Sequence, residues 1–225
     1  MIPAALVLAL LALAAPGEGG GGSGAAPAPR EAVVLVHGLG RTQYSLRKLH
    51  AALEAKGYLA IDWPYASWRG PFESHAARLA KDLERLAATP GVSRVHAVGH
   101  SLGCVLIRAA LLDARPAKFG RVVQLVPPNH GARVARFLSP VLGRLFPVLP
   151  QLSDDPASAV NRLGVPRDVE IGVVAARYDH LVTLESTHLA GEKDHFLAEA
   201  SHSFLMNRDD VIAATIAFLR GGTFR

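Results

Sequence analysis

The sequence predicts an α/β fold, a mostly parallel sheet with helices on both faces. Two observations predict it. Short β-branched runs alternate along the chain with stretches whose leucines and alanines recur at helical spacing. Glycines and prolines punctuate that alternation where a strand or helix would hand over to a loop. Composition permits such a fold. Half of the 225 residues are apolar and 19% are charged, which excludes a disordered chain and a charged coiled coil and leaves enough material for one sizeable core.

Taken in order, Val33–Val36 reads as a buried strand ending at His37-Gly38. Tyr44–Lys56 sets Leu46, Leu49 and Leu53 on one stripe and stops before Gly57, a helix with a C-terminal glycine. Tyr58–Ile61 is a second strand. Glu73–Ala88 aligns Ala76, Leu79, Leu83 and Leu86, an amphipathic helix. Val95–Val98 is a third strand, ending at Gly99, and Leu102–Ala114 the helix after it. Val122–Val126 is a fourth strand, stopped by Pro127-Pro128. Val169–Val174 is a fifth, and Asp209–Leu219 a closing helix. No internal repeat is present. A parallel sheet gathers its chemistry beyond the carboxyl ends of its strands, so the residues just after each strand are the place to look.

Other features bound the function. The formal charge of +5 arises from scattered basic residues with no run among them, so no nucleic-acid partner is expected. A single cysteine, Cys104, excludes an intramolecular disulfide framework and a cysteine-based zinc site. No apolar stretch reaches the ~18 residues of a membrane span. Residues 1–15 are almost wholly apolar, the length of a signal-peptide h-region, with Ala12-Leu13-Ala14 as a small-residue cleavage site. Export to the periplasm or beyond is the expectation. No Lys or Arg precedes the run, so a hydrophobic tail on a cytoplasmic protein is the alternative. Residues 16–29 are nearly all Gly, Ala, Pro and Ser, a flexible linker, and the folded domain is expected to run from 30 to 225.

The chemistry is concentrated after the third strand, in Gly99-His100-Ser101-Leu102-Gly103. A G-x-S-x-G run between a strand and a helix exposes its serine at a sharp turn. Glycines two residues to either side are needed because strand and helix nearly touch there. The helix N-terminus favours negative charge developing beside Ser101. The first strand ends in a second glycine loop, His37-Gly38-Leu39-Gly40-Arg41. The backbone amides of Leu39 and Leu102 are therefore the expected donors to an oxyanion.

On VVLVHGLGR and VHAVGHSLGC, the chain resembles the α/β-hydrolase superfamily over about Glu31 to Leu219. More narrowly it resembles small bacterial lipase- and esterase-like proteins and the lipase-like domain of glycosylphosphatidylinositol inositol-deacylase relatives. That resemblance implies a chain order of nucleophile, acid, histidine. The first strand is already the one that ends in His-Gly, so it also implies a minimal sheet of about six strands.

A serine hydroxyl needs a histidine to take its proton and a carboxylate to orient that histidine. Asp179 is the only carboxylate just beyond the fifth strand, and Asp179-His180-Leu181-Val182 resembles the family's acid loop. Asp194 is the reserve. Asp154 and Asp155 precede that strand. The implied order leaves His180, His188, His195 and His202 as bases. His202, in Ser201-His202-Ser203 before the closing helix, resembles the family's histidine loop, with His195 as the alternative. His37 and His100 read as structural neighbours, His130 as a residue at the site's edge, and His50, His75, His96 and His188 as surface histidines. Cys104 reads as a small core residue.

Residues 131–166 form an apolar insertion broken by Pro140, Pro147 and Pro150. It reads either as a lid and acyl-pocket wall or as core over one sheet edge, with Leu145 and Phe146 as the residues that distinguish the two. The function expected is a serine hydrolase of carboxylic esters, acting on a small-molecule or lipid ester with no metal and no cofactor. Acyl transfer by the same triad and a non-catalytic binding fold are the alternatives. Peripheral membrane contact and oligomeric state are left open.

Overall fold

The computed structural model describes residues 28–114 and 116–225. The apolar segment 1–15 and nearly all of the linker lie outside the described residues. Six strands form one sheet: β1 (Arg30–Val36), β2 (Leu59–Trp63), β3 (Val92–His100), β4 (Phe119–Leu125), β5 (Glu170–Ala176) and β6 (Asp194–Ala198). Their order is β2-β1-β3-β4-β5-β6, and every pair is parallel. The fold class read from the sequence is the one observed. β6 is the strand that the sequence pattern did not assign: three of its five residues are charged, histidine or alanine, and its first four are only partly buried.

The helices α1 (Arg47–Glu54), α2 (Phe72–Ala88), α3 (Leu102–Asp113), α4 (Arg133–Leu142) and α8 (Asp209–Gly221) are joined by three single turns, α5 (Val148–Gln151), α6 (Ala159–Arg162) and α7 (Leu184–Thr187). The stretch Tyr44–Lys56 is not one helix. A 3-10 turn at Gln43–Leu46 precedes α1. Alternation along β1 divides the core. Ala32, Val34 and Val36 pack with α2 and α3, whereas Val33 and Leu35 pack with α1 and α8. β1 thus reads as a continuous apolar run because both of its faces are covered.

The chain steps from β1 outward to β2 and then returns to place β3 on the other side of β1. The connections diverge at this switch point, and a crevice opens at the carboxyl ends of β1 and β3. Val36 is in register with Gly99, and His100 with Leu125, so the loops that follow those strands meet there. Ser101 turns the corner from β3 into α3 at φ 52° and ψ −118°, a conformation disfavoured for an L residue. Neighbouring glycines make it achievable. A Cβ on Gly103 would stand 2.1 Å from the Val36 carbonyl oxygen, and one on Gly99 would stand 2.6 Å from the Cys104 nitrogen. Val126 is also at positive φ, 46°, with its N–H on the Val174 carbonyl at 2.8 Å. It prolongs the ladder by one bond before Pro127 and Pro128 end it.

Three histidines are fully or almost fully enclosed: His37, His96 and His100. His96 is therefore a core residue and not a surface one. Its Nδ1 accepts the Arg121 N–H at 2.9 Å and its Nε2 faces Glu31 at 3.3 Å, so a β-strand position that looks unremarkable in sequence carries a neutral, bonded ring. His37 stacks on Tyr65 with centroids 4.3 Å apart.

Gly103→Ala should lower the melting temperature markedly, because backbone must move; overpacking of this kind costs about 1–3 kcal/mol or more. Gly164→Ala, where the nearest atom is a Leu112 methyl at 3.5 Å, should be close to neutral in the same thermal melts. Burial, reinforced by His202, holds His100 down to about 3, and burial lowers His37 and His96 as well. An unfolded histidine titrates near about 6.5, so below that pH the unfolded chain binds protons that the folded chain refuses. Stability should therefore fall as pH drops from about 6.5 toward 3, by about 2 kcal/mol between pH 7 and 5 for His100 alone. Urea midpoints at the two pH values measure it; equal midpoints would refute the neutral, buried assignment.

Candidate active site

Four loops converge on Ser101. The glycine loop after β1 lies directly against it, since a Cβ on Gly38 would stand 3.2 Å from the Ser101 Cβ and 2.7 Å from His100 Nδ1. The elbow itself is held by the Ser101 N–H on the Leu125 carbonyl at 2.9 Å, and the Cys104 N–H donates to the Ser101 carbonyl at the same distance. The backbone amides of Leu39 and Leu102 have no hydrogen-bond partner among the described residues, and the side chain of Leu39 lines the same cleft as Ser101.

Asp179 stands just past β5. One carboxylate oxygen accepts the N–H groups of Leu181 and Val182 at 2.8 and 2.9 Å, which closes a tight turn and orients the carboxylate. The other oxygen lies 2.7 Å from His202 Nδ1. His202 Nε2 in turn is 3.0 Å from Ser101 Oγ. The His202 and Asp179 side chains are 10% and 2% exposed. Nδ1–H donation to the carboxylate fixes the tautomer in which Nε2 accepts from the serine hydroxyl.

The structure thus brings together Ser101, Asp179 and His202. It does not bring His195 or Asp194 to them. His195 lies near the start of β6, its Nδ1 3.0 Å from Glu192. Asp194 accepts the N–H groups of His195 and Phe224 and so fastens the C-terminal end of the chain. His130 is exposed and lies among Gly131, Arg133 and Asp154, outside the cleft around Ser101. Cys104 is fully buried, its thiol pushed far up by burial, with Sγ 3.5 Å from the Leu125 carbonyl.

Two tethers of the histidine loop were not foreseen from sequence. His100 Nε2–H donates to the His202 carbonyl at 3.0 Å, and Arg41 Nη2 donates to the Ser203 carbonyl at 3.2 Å. Both residues sit inside the glycine motifs, where a sequence pattern reads only their neighbours. A third unforeseen residue is Arg108 on α3, 3% exposed. All five of its N–H donors are used, on Gly164, Val160 and Leu163 carbonyls and on both oxygens of Asn129. Burial lowers it to about 10, so it remains a cation at neutral pH. Asn129 passes the connection on, donating to Gln124 and to the Thr187 carbonyl, both at 2.8 Å.

The cleft above Ser101, about 250 Å³, is walled mostly by apolar side chains. Val134, Ala135, Leu138, Leu149 and Leu152 come from the insertion, and Leu181 and Val182 from the loop after β5. Leu145 and Phe146 do not line it, which corrects the choice of residues made from sequence. Leu145 is 70% exposed and Phe146 packs on the core edge. The insertion divides in physical terms. Val148, Leu149, Leu152 and Val160 are buried, and Gln151 ties that part to the start of α2, whereas Phe137 and Val141 on α4 face solvent.

No curated protein matches the sequence. Solved structures do. The mature form of a Bacillus licheniformis lipase superposes with a TM-score of 0.64 at 16% identity, covering 91% of this chain and 96% of that one. Its propeptide form gives 0.66 at 17%, covering 82% of this chain, which spans only 48% of that longer one. Aspergillus fumigatus lipase B gives 0.66 at 13% identity, with 85% of this chain and 52% of that one covered. At these identities the likeness is one of fold. The model of the alpha/beta hydrolase family matches residues 33–215, from β1 into α8. By that match and by its sheet, the chain belongs to the alpha/beta hydrolase family.

Proposed function

We propose that this hydrolase is a serine carboxylesterase of lipase-like type, with Ser101, His202 and Asp179 as its triad. The observation that carries the reading is the unbroken chain from Asp179 through His202 to Ser101 Oγ, with steps of 2.7 and 3.0 Å, at the floor of an apolar cleft. Ser101 Oγ attacks the ester carbonyl while His202 Nε2 takes its proton. Asp179 holds the imidazole in the required tautomer and stabilises the imidazolium that forms. The Leu39 and Leu102 amides receive the oxyanion, aided by the positive end of α3. His202 returns the proton to the leaving alcohol, and water then releases the acyl group from Ser101 by the same path.

The apolar wall favours an ester with a hydrocarbon acyl part. The exposed Phe137, Val141 and Leu145 beside that cleft favour contact with a lipid surface during turnover. Acyl transfer to an alcohol differs only in what attacks the acyl-enzyme.

The triad is tested by substitution. Ser101→Ala and His202→Ala should each lower turnover on p-nitrophenyl esters by about 10⁴ or more, because the two act as a unit. His195→Ala should retain most of it. A fluorophosphonate probe should label the wild type and not Ser101→Ala; an unlabelled wild type would leave a non-catalytic binding fold. The acyl site is tested separately. Leu138 lines the cleft yet is 40% exposed, so Leu138→Ala should lengthen the preferred acyl chain with little change in melting temperature. Leu149→Ala should do the same at a cost of about 2–5 kcal/mol, since that side chain is also core. Leu145→Ala should change neither. An unchanged chain-length profile in both cleft variants would remove the insertion from the acyl site.

A further inference from the structure

We propose that His188, Glu192 and His195 form a binding site for a divalent transition-metal ion such as Zn²⁺, separate from the triad. His188 and Glu192 lie in the connection from α7 to β6 and His195 is the second residue of β6, and one ligand atom from each falls within 4.8 Å of the other two. The two imidazoles stack with centroids 4.2 Å apart, and both Nδ1 atoms face one carboxylate oxygen. His188 Nδ1 is 2.8 Å from Glu192 Oε1, and His195 Nδ1 is 3.0 Å from the same oxygen. Ligands bound tetrahedrally at about 2.0–2.1 Å from Zn²⁺ stand roughly 3.3 Å apart. The two nitrogen–oxygen contacts need open by only about 0.3–0.5 Å, with the two imidazole nitrogens set at the same spacing, to admit the ion, and water completes its shell.

The donor chemistry selects the metal. Two imidazoles and one carboxylate suit Zn²⁺, Co²⁺, Ni²⁺ or Cu²⁺, whereas Ca²⁺ and Mg²⁺ require mostly oxygen. The frame around the site is built. The second oxygen of Glu192 accepts the Leu189 N–H at 3.0 Å, which fixes the carboxylate, and the Leu189 side chain is buried in the core. Lys193 N–H donates to the Ile171 carbonyl at 2.7 Å and Lys193 Nζ pairs with Glu170, which anchors the strand side. The Thr187 carbonyl accepts from Asn129, which anchors the helix side. The His188 side chain is 54% exposed, and those of Glu192 and His195 are 16–18% exposed, so an ion enters from solvent on the His188 side.

The consequence is structural. This connection follows the turn that carries Asp179 and leads into the strand that precedes the His202 loop. An ion there clips the two histidines to the glutamate and stabilises the native state by mass action, with no part in the chemical step.

The test uses the full chain without a polyhistidine tag. Zn²⁺ is titrated by calorimetry, Co²⁺ by its visible absorption, and melting temperature is followed with each metal and with Mg²⁺. One equivalent of Zn²⁺ is expected to bind and to raise the melting temperature, with no effect of Mg²⁺. His188→Ala, at an exposed position that leaves ester turnover without metal unchanged, should weaken binding by about tenfold or more and abolish the thermal shift. Glu192→Gln should weaken it in the same way. Absence of binding by the wild type up to about 0.1 mM metal would overturn the proposal. So would binding that survives His188→Ala and disappears in His202→Ala, which would place the ion at the triad.

Discussion

The structure depends on one close approach, the crossing of the β3–α3 turn over the end of β1. With a hydrogen in place of a Cβ, Gly103 fits beside the Val36 carbonyl; any side chain would overlap it. That proximity lets α3 start directly beneath Ser101, and it forces Ser101 into its positive-φ corner. The strain is held by main-chain bonds on both sides of the serine, from Ser101 to Leu125 and from Cys104 to Ser101. Everything else at the site is arranged about this fixed hydroxyl. The glycine loop after β1 is brought against it by the same approach, and with it the amide of Leu39.

The remaining partners come from far along the chain, and their placement rests on hydrogen bonds between loops. Asp179 uses one oxygen to close its own turn, which leaves the other free for His202. The His202 loop has little regular structure of its own. It is held by His100 from the Ser101 side and by Arg41 from the glycine loop. His100 serves there as a neutral ring, because its complete enclosure opposes a charge on it. The price of such an arrangement is sensitivity to acid, since each buried neutral histidine is a proton acceptor once the chain unfolds.

Arg108 solves a different problem. The insertion returns from the cleft to the sheet through a single helical turn, α6, whose last carbonyls have no helical partner. A buried guanidinium supplies the donors, and because every one of them is bonded, the cation tolerates its enclosure. Through Asn129 it also joins α3 to the segment after the Asp179 turn. The wall of the cleft is thereby tied to the same frame as Ser101, Asp179 and His202, while the outer face of α4 is left to solvent.

What the sequence determined by itself was whatever is local. Apolar period and glycine punctuation placed five strands and the principal helices to within a few residues, because those signals are written in neighbouring side chains. The elbow was legible for the same reason, since a strand, a bracketed serine and a helix are consecutive. That Asp179 and His202 would meet Ser101 needed the family's chain order in addition, because the three residues lie far apart along the chain. Tertiary structure alone decided the rest. β6 is carried by pairing with β5 and not by its own composition, and His96 is buried because Arg121 and Glu31 arrive from other strands. Which apolar residues of the insertion line the cleft, and how Arg108 and His100 are used, depend on partners distant in sequence. Local periodicity holds no record of such partners; only the closing of the sheet brings them within bonding distance.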